Sequence, residues 1–170
     1  MKITLCMLMT LTSNIAISQP STTCNSPEIS QFDFWIGEWD LTWNDTLKGE
    51  NSITKEMDGC VVHEHFHDPL SHYRGWSWSV YNVKTKHWQQ TWVDNSGAYI
   101  DLKGGMEGDK MILATADEKT EERTVRRRMV FYNINPNSFD WIWEASPDLG
   151  KTWELKWKIH YQRKKQLEAK

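Results

Sequence analysis

The chain has 170 residues, 39% of them hydrophobic and 25% charged, the size of one globular domain with enough apolar side chains for a core and too many for a disordered polymer. Twenty Lys and Arg against 23 Asp and Glu leave a formal charge of −3, so no basic surplus draws the protein to nucleic acid or an anionic membrane. The one extreme count is 11 tryptophans.

Residues 1–18 read as a cleavable secretory signal. Lys2 supplies the positive start, Ile3 to Ile17 carry no charge, and Ala16-Ile17-Ser18 puts small residues where a signal peptidase cuts. The stretch is too short and too rich in Thr and Ser for a membrane span, and no Cys follows a small-residue box as lipidation requires. The expectation is export to the periplasm or the extracellular space. Cleavage removes Cys6 and leaves Cys24 and Cys60. Such a pair in an exported chain suggests a disulfide, contributing on the order of 3 kcal/mol. Two buried free thiols are the alternative.

A polar leader (19–26) precedes a helix that opens at Pro27, with Ser26 as N-cap and Gly37 just past its end. Ile29, Phe32 and Ile36 fall on one face of it. From Glu38 the pattern changes to period two, with strands near 38–44, 50–57, 60–67, 75–82, 87–93, 97–103, 109–115, 122–132, 138–145 and 152–162. The breaks are turn chemistry, among them Asp58-Gly59, Asn95-Ser96-Gly97 and Asn135-Pro136-Asn137. Short turns make neighbours antiparallel, and a meander this long avoids open edges most simply by closing on itself. The expected fold is therefore all-β: an up-and-down antiparallel barrel of about ten strands over 27–163, with one short N-terminal helix and a charged tail (164–170). Such a barrel has room inside for one small ligand.

Gly37-Glu38-Trp39, between the helix and the first strand, is similar to the G-x-W start of lipocalins and other calycin barrels, where the Trp plugs the closed end. A longer set comprises Phe32-Asp33-Phe34-Trp35-Ile36-Gly37-Glu38-Trp39, Asp58-Gly59-Cys60, Trp88-Gln89-Gln90-Thr91-Trp92-Val93-Asp94 and Trp143-Glu144-Ala145-Ser146 with Asp148, Gly150 and Trp153. Together these resemble a family of small secreted bacterial proteins of unknown function with an expected calycin-like barrel. The resemblance spans 31–162, implies the barrel and assigns no catalytic residue. His63 and Phe66 depart from it, standing where an aliphatic residue and a Trp are usual.

Ser146-Pro147-Asp148-Leu149-Gly150-Lys151-Thr152-Trp153 fits the S-x-D-x-G-x-T-W box of sialidase-type propellers. Propellers repeat the box over a longer chain, so a single copy reads as a turn staple in which Asp148 caps backbone N–H groups. His63, His65 and His67 alternate with Val62, Glu64 and Phe66. With Val62 and Phe66 inward the histidines face out. His63 and His65 are then the metal candidates, and the expectation is that they are surface side chains and hold no metal. Glu64 is directed inward on the same argument. A buried carboxyl must be hydrogen-bonded, paired or protonated, which makes it the foremost functional residue and the candidate acid or base. Its possible partners are Gln90, sharing a face with Trp88 and Trp92, and Arg126 or Arg128.

Trp153, Leu155, Trp157, Ile159 and Tyr161 alternate with polar residues, as do Phe139, Trp141 and Trp143. Eleven indoles exceed what filling a small barrel needs, so some are expected to line a cavity. Strand 75–82 admits both orientations, with either Trp76 and Trp78 or Ser77, Ser79 and Tyr81 inward. Arg123, Arg126, Arg127 and Arg128 follow Glu118, Glu121 and Glu122 and read as a charged strand face. No P-loop, G-x-G-x-x-G, G-x-S-x-G or C-x-x-C is present. The expectation is an exported barrel that binds a small aromatic or sugar-like molecule, with Trp92, Trp143 and Trp157 as walls and Glu64, Gln90 and Arg128 as anchors. The sequence names no cofactor and no oligomeric state. The rivals are a small isomerase, cyclase or hydrolase using Glu64, and an envelope interaction protein using Trp76 and Trp78.

Overall fold

The computed structural model describes residues 24, 26–44, 47–119 and 124–165. The expected signal, most of the leader, Glu121 to Arg123 and the end of the tail lie outside them. Alternating inward residues build eleven strands: β1 (Gly37–Trp43), β2 (Leu47–Glu56), β3 (Val61–Asp68), β4 (Tyr73–Asn82), β5 (His87–Asp94), β6 (Tyr99–Glu107), β7 (Lys110–Ala114), β8 (Glu118–Lys119), β9 (Thr124–Tyr132), β10 (Ser138–Ser146) and β11 (Glu154–Arg163). Neighbours in sequence are neighbours in the sheet, and β1 pairs with β11 to close it. The two-residue β8 continues the β7 side along β9 after a break at Thr115 to Asp117. The result is the closed antiparallel barrel of ten staves that the sequence pattern implies, in a calycin-like arrangement. Among the described residues no helix is long and apolar enough to cross a membrane.

The helix differs in kind from the expected one. Pro27–Trp35 is a 3₁₀ helix that buries Ile29, Phe32 and Trp35, every third residue, as its repeat requires. Ile36, expected on that face, is instead the extended residue after the helix. The Ser26 side chain makes no cap and donates to the Glu28 carboxylate.

This helix plugs one end of the barrel. Phe32 meets Trp88 edge-on at 4.7 Å, Trp35 meets Phe131 at 5.2 Å and Trp39 meets Phe139 at 4.9 Å. The Trp39 indole N–H donates to the Trp35 carbonyl at 2.7 Å. Arg163 lies 4.1 Å over the Trp39 ring and donates to the carbonyls of Ile36 (2.8 Å), Phe34 (3.2 Å) and Pro136 (2.8 Å).

Cys24 and Cys60 form a disulfide across a sequence separation of 36. Met57, Asp58 and Gly59 all adopt positive φ (50°, 58° and 86°) in the turn that delivers Cys60, and a glycine is the residue that does so without strain. Closing a loop of this length contributes about 2–4 kcal/mol by restricting the unfolded chain. Replacing both cysteines by Ser is expected to lower urea-unfolding stability by that amount, and reductant to have no further effect on the double variant.

Candidate functional site

Inward residues of β3 to β6 and β9 to β11 surround a cavity of about 130 Å³, closed below by the helix. Its deep wall is formed by the buried Trp35, Leu102, Phe131, Ile159 and Tyr161, with Glu64 among them. Towards its mouth the lining is half-buried: Tyr73, Trp92, Trp141, Trp143 and Trp157. Trp141 and Trp143 lie parallel with centroids 6.4 Å apart, and Trp157 stands edge-on to Trp141 at 5.7 Å. Phe66 bridges Trp92 and Trp157 at 6.1 and 5.8 Å.

Two devices hold Trp92 in place. A Cβ on Gly75 would lie 1.9 Å from Cζ2 of Trp92, so the indole rests on a backbone that only Gly can supply. The Trp92 Nε1–H donates to Asp94 Oδ2 at 3.0 Å, and the Tyr73 hydroxyl donates to the same oxygen at 2.7 Å. Burial pushes the Asp94 carboxyl up, but donations from Ser96, Tyr73 and Trp92 outweigh this and hold it well below the usual range.

Glu64 is 6% exposed and points inward between Val62 and Phe66. Asn51 Nδ2–H donates to Oε1 at 2.7 Å, and the Ser77 hydroxyl to Oε2 at 2.6 Å. The same Asn51 amide reaches the Tyr161 hydroxyl at 3.2 Å. Burial raises the Glu64 carboxyl from 4.5 to about 7, against the lowering effect of both donors.

The other expected site residues divide. Trp92, Trp143 and Trp157 line the cavity with Glu64. Gln90 is inward and buried, but it donates to the Ser79 hydroxyl at 2.9 Å and stands away from the cavity wall. Arg128 faces outward, bonded to Glu144 at 2.6 Å and lying 3.9 Å over the Trp153 ring, while Arg126 pairs with Asp117 at 2.8 Å. Neither reaches Glu64. Trp153 and Leu155 also leave the inward row, because a register shift pairs Trp143 with Trp157 but Glu144 with Leu155, making Lys156 a bulged extra residue.

His63 and His65 lie on the outer face, stacked on Trp78 (3.5 Å) and Trp76 (4.7 Å), with their Nε2 atoms 3.0 Å apart. His65 is exposed as expected, but His63, expected at the surface, is buried because Trp78 and His65 cover it. Burial, then its neighbour His65, lowers the His63 pKa. Among the described residues no three metal-ligating side chains converge. The orientation of β4 is thereby settled: Ser77 and Ser79 are buried inside, and Trp76 and Trp78 are 51% and 41% exposed. Asp148 staples its turn as the box implies, accepting from the Thr152 N–H at 2.8 Å and hydroxyl at 2.7 Å.

Asn51, Tyr73 and Asp94 are the polar members of the site that sequence reasoning misses, and Ile100, Leu102, Met129 and Phe131 the apolar ones. Asn51 carries a signal, being a polar residue two positions from Ile53 on the inner face of β2. No protein-family model matches the chain, and no curated protein is significantly similar to it.

Because the folded chain binds the Glu64 proton more tightly than the unfolded chain, it holds that proton where the unfolded chain has lost it, between about 4.5 and 7. Stability contributed by the protonated form is complete at the acid end of this window and is lost as pH rises through it. Against Glu64→Gln, the wild-type protein is expected to lose on the order of 3 kcal/mol across this range and to run parallel above it, as urea unfolding at a series of pH values will show.

Proposed function

We propose that the protein is an exported barrel that binds a small, largely apolar molecule of about one-ring size, with Glu64 as its polar anchor. The observation that carries this reading is a buried carboxyl opening onto a cavity whose other walls are almost entirely aromatic or aliphatic. A cavity of about 130 Å³ matches the volume in which an apolar protein interior takes up benzene. It falls below the range that holds drug-sized ligands or haem. A sugar would set most of its hydroxyls against indole and aliphatic carbon and leave them unpaired. The aromatic alternative is therefore the better supported.

Export is supported by the signal-like residues 1–18, by the disulfide, and by the motifs that resemble the secreted calycin-like family. Binding is favoured over proton-transfer chemistry because the groups bonded to Glu64 are the Asn51 amide and the Ser77 hydroxyl. Among the described residues the lining places no second carboxyl, His or Lys beside it to exchange a proton with.

Calorimetric titration with benzyl alcohol tests the reading. Wild-type protein is expected to bind it in the cavity, and Gly75→Ala to weaken binding at least ten-fold by driving Trp92 off its seat, with the barrel's circular dichroism unchanged. Absence of heat at millimolar ligand, or an unaffected Gly75→Ala variant, would refute it.

A further inference from the structure

We propose that the molecule the cavity is built for is a small organic cation, an ammonium group seated among Trp92, Trp141, Trp143 and Trp157 with Glu64 as its counter-ion. The inference rests on the binding reading above and adds to it the charge of the ligand.

The charges around the cavity are of one sign. Glu64 is in the wall, and Asp94 stands behind Tyr73 and Trp92. Among the described residues the lining contains no Lys, Arg or His. Carboxylates collected at a low-dielectric cleft focus a negative potential into it, which attracts a cation and repels an anion.

Hydrogen bonding around Glu64 points the same way. Both neighbours donate to it, Asn51 to one oxygen and Ser77 to the other, and donors favour the ionised carboxylate. What opposes ionisation is burial. A cation in the cavity removes that opposition, whereas a neutral molecule leaves it in place.

The walls supply the third argument. Indole faces carry negative quadrupole charge, and Trp is the ring that attracts cations most strongly. Here the mouth is framed by parallel Trp141 and Trp143 with Trp157 at right angles to Trp141, and Trp92, Phe66 and Tyr73 complete the enclosure. A hydrophobic ligand of any charge would gain from covering these rings. An ammonium gains in addition from ring faces and from the carboxylate together.

The groups facing Glu64 set its pH response. They are Asn51 from β2, Ser77 and Tyr73 from β4, and Tyr161 from β11. Both tyrosines are neutral throughout the physiological range, and His63 and His65 lie on the opposite face of β3. Glu64 is therefore the group whose ionisation governs cation affinity near neutral pH.

Choline and 3,3-dimethylbutan-1-ol have the same shape and differ in charge, so a calorimetric comparison on the full chain isolates the cation. At pH 8 choline is expected to bind at least ten-fold more tightly than the neutral alcohol. Lowering the pH to 5.5 is expected to weaken choline at least ten-fold and to leave the alcohol unchanged. Glu64→Gln should abolish the preference, and the pH series on wild-type protein decides the same question should that variant fail to fold. Equal affinities, or a preference that survives Glu64→Gln or acidification, overturn the cation assignment while benzyl alcohol binding keeps the apolar-ligand reading standing. Failure of all three compounds to bind overturns both.

Discussion

The guanidinium of Arg163, at the end of the last strand, is the tie on which the interior depends. It donates to the carbonyls of Phe34, in the last turn of the N-terminal helix, and of Ile36, the residue just after it, and to Pro136 in the loop before β10, while lying over Trp39 of β1. Helix ends expose carbonyls without partners, and one planar cation with several donors satisfies two of them at once. The plug is thereby fixed to the staves where the barrel closes. With that end shut by Phe32, Trp35 and Trp39, water has access to the cavity from the Trp-lined mouth, and Glu64 lies at the dry end.

Two of the inward tryptophans are flat rings resting on bare backbone. Trp92 covers Gly75, and Trp43 covers Gly49, whose added Cβ would fall 2.8 Å from the ring. A ring lying on the strand occupies the width that a β-branched side chain would fill by projecting. Beside Trp92 the space this frees belongs to the cavity. Its rigidity follows from the same construction, since Asp94 fixes Trp92 and Tyr73 through hydrogen bonds and edge-on contacts fix Trp157.

Period two in the sequence carried the fold, because each strand with one apolar face states its own orientation. The parity of Val62 and Phe66 implies Glu64 inside and the histidines on the outer face, and the structure puts Glu64 inside and His63 and His65 outside. Parity does not foresee that Trp78 and His65 cover His63 and bury it. Where both faces of a strand are mixed, as in Tyr73–Asn82, parity is silent, and the cross-strand stacking of Trp76 and Trp78 on histidines decides. A bulge defeats parity altogether. One extra residue at Lys156 turns Leu155 and Trp153 outward, and Trp153 becomes the seat for Arg128. Closure itself followed from the meander, but the side chains it brings together did not. Asn51 and Tyr161 are 110 residues apart and meet because β1 pairs with both β2 and β11.

The arrangement around Glu64 also explains why a carboxyl, and not its amide, suits this position. Asn51 and Ser77 donate to different oxygens. An amide has one oxygen to offer and would set its NH₂ against the second donor. The ionised carboxyl accepts both bonds without conflict but costs several kcal/mol in desolvation. The protonated form avoids that cost, yet its proton must point away from both donors. The geometry thus gives both donors an acceptor in the charged state, although Asn51 Oδ1 stays buried without a partner, and leaves the carboxylate's remaining requirement, a positive charge, to be met from the cavity.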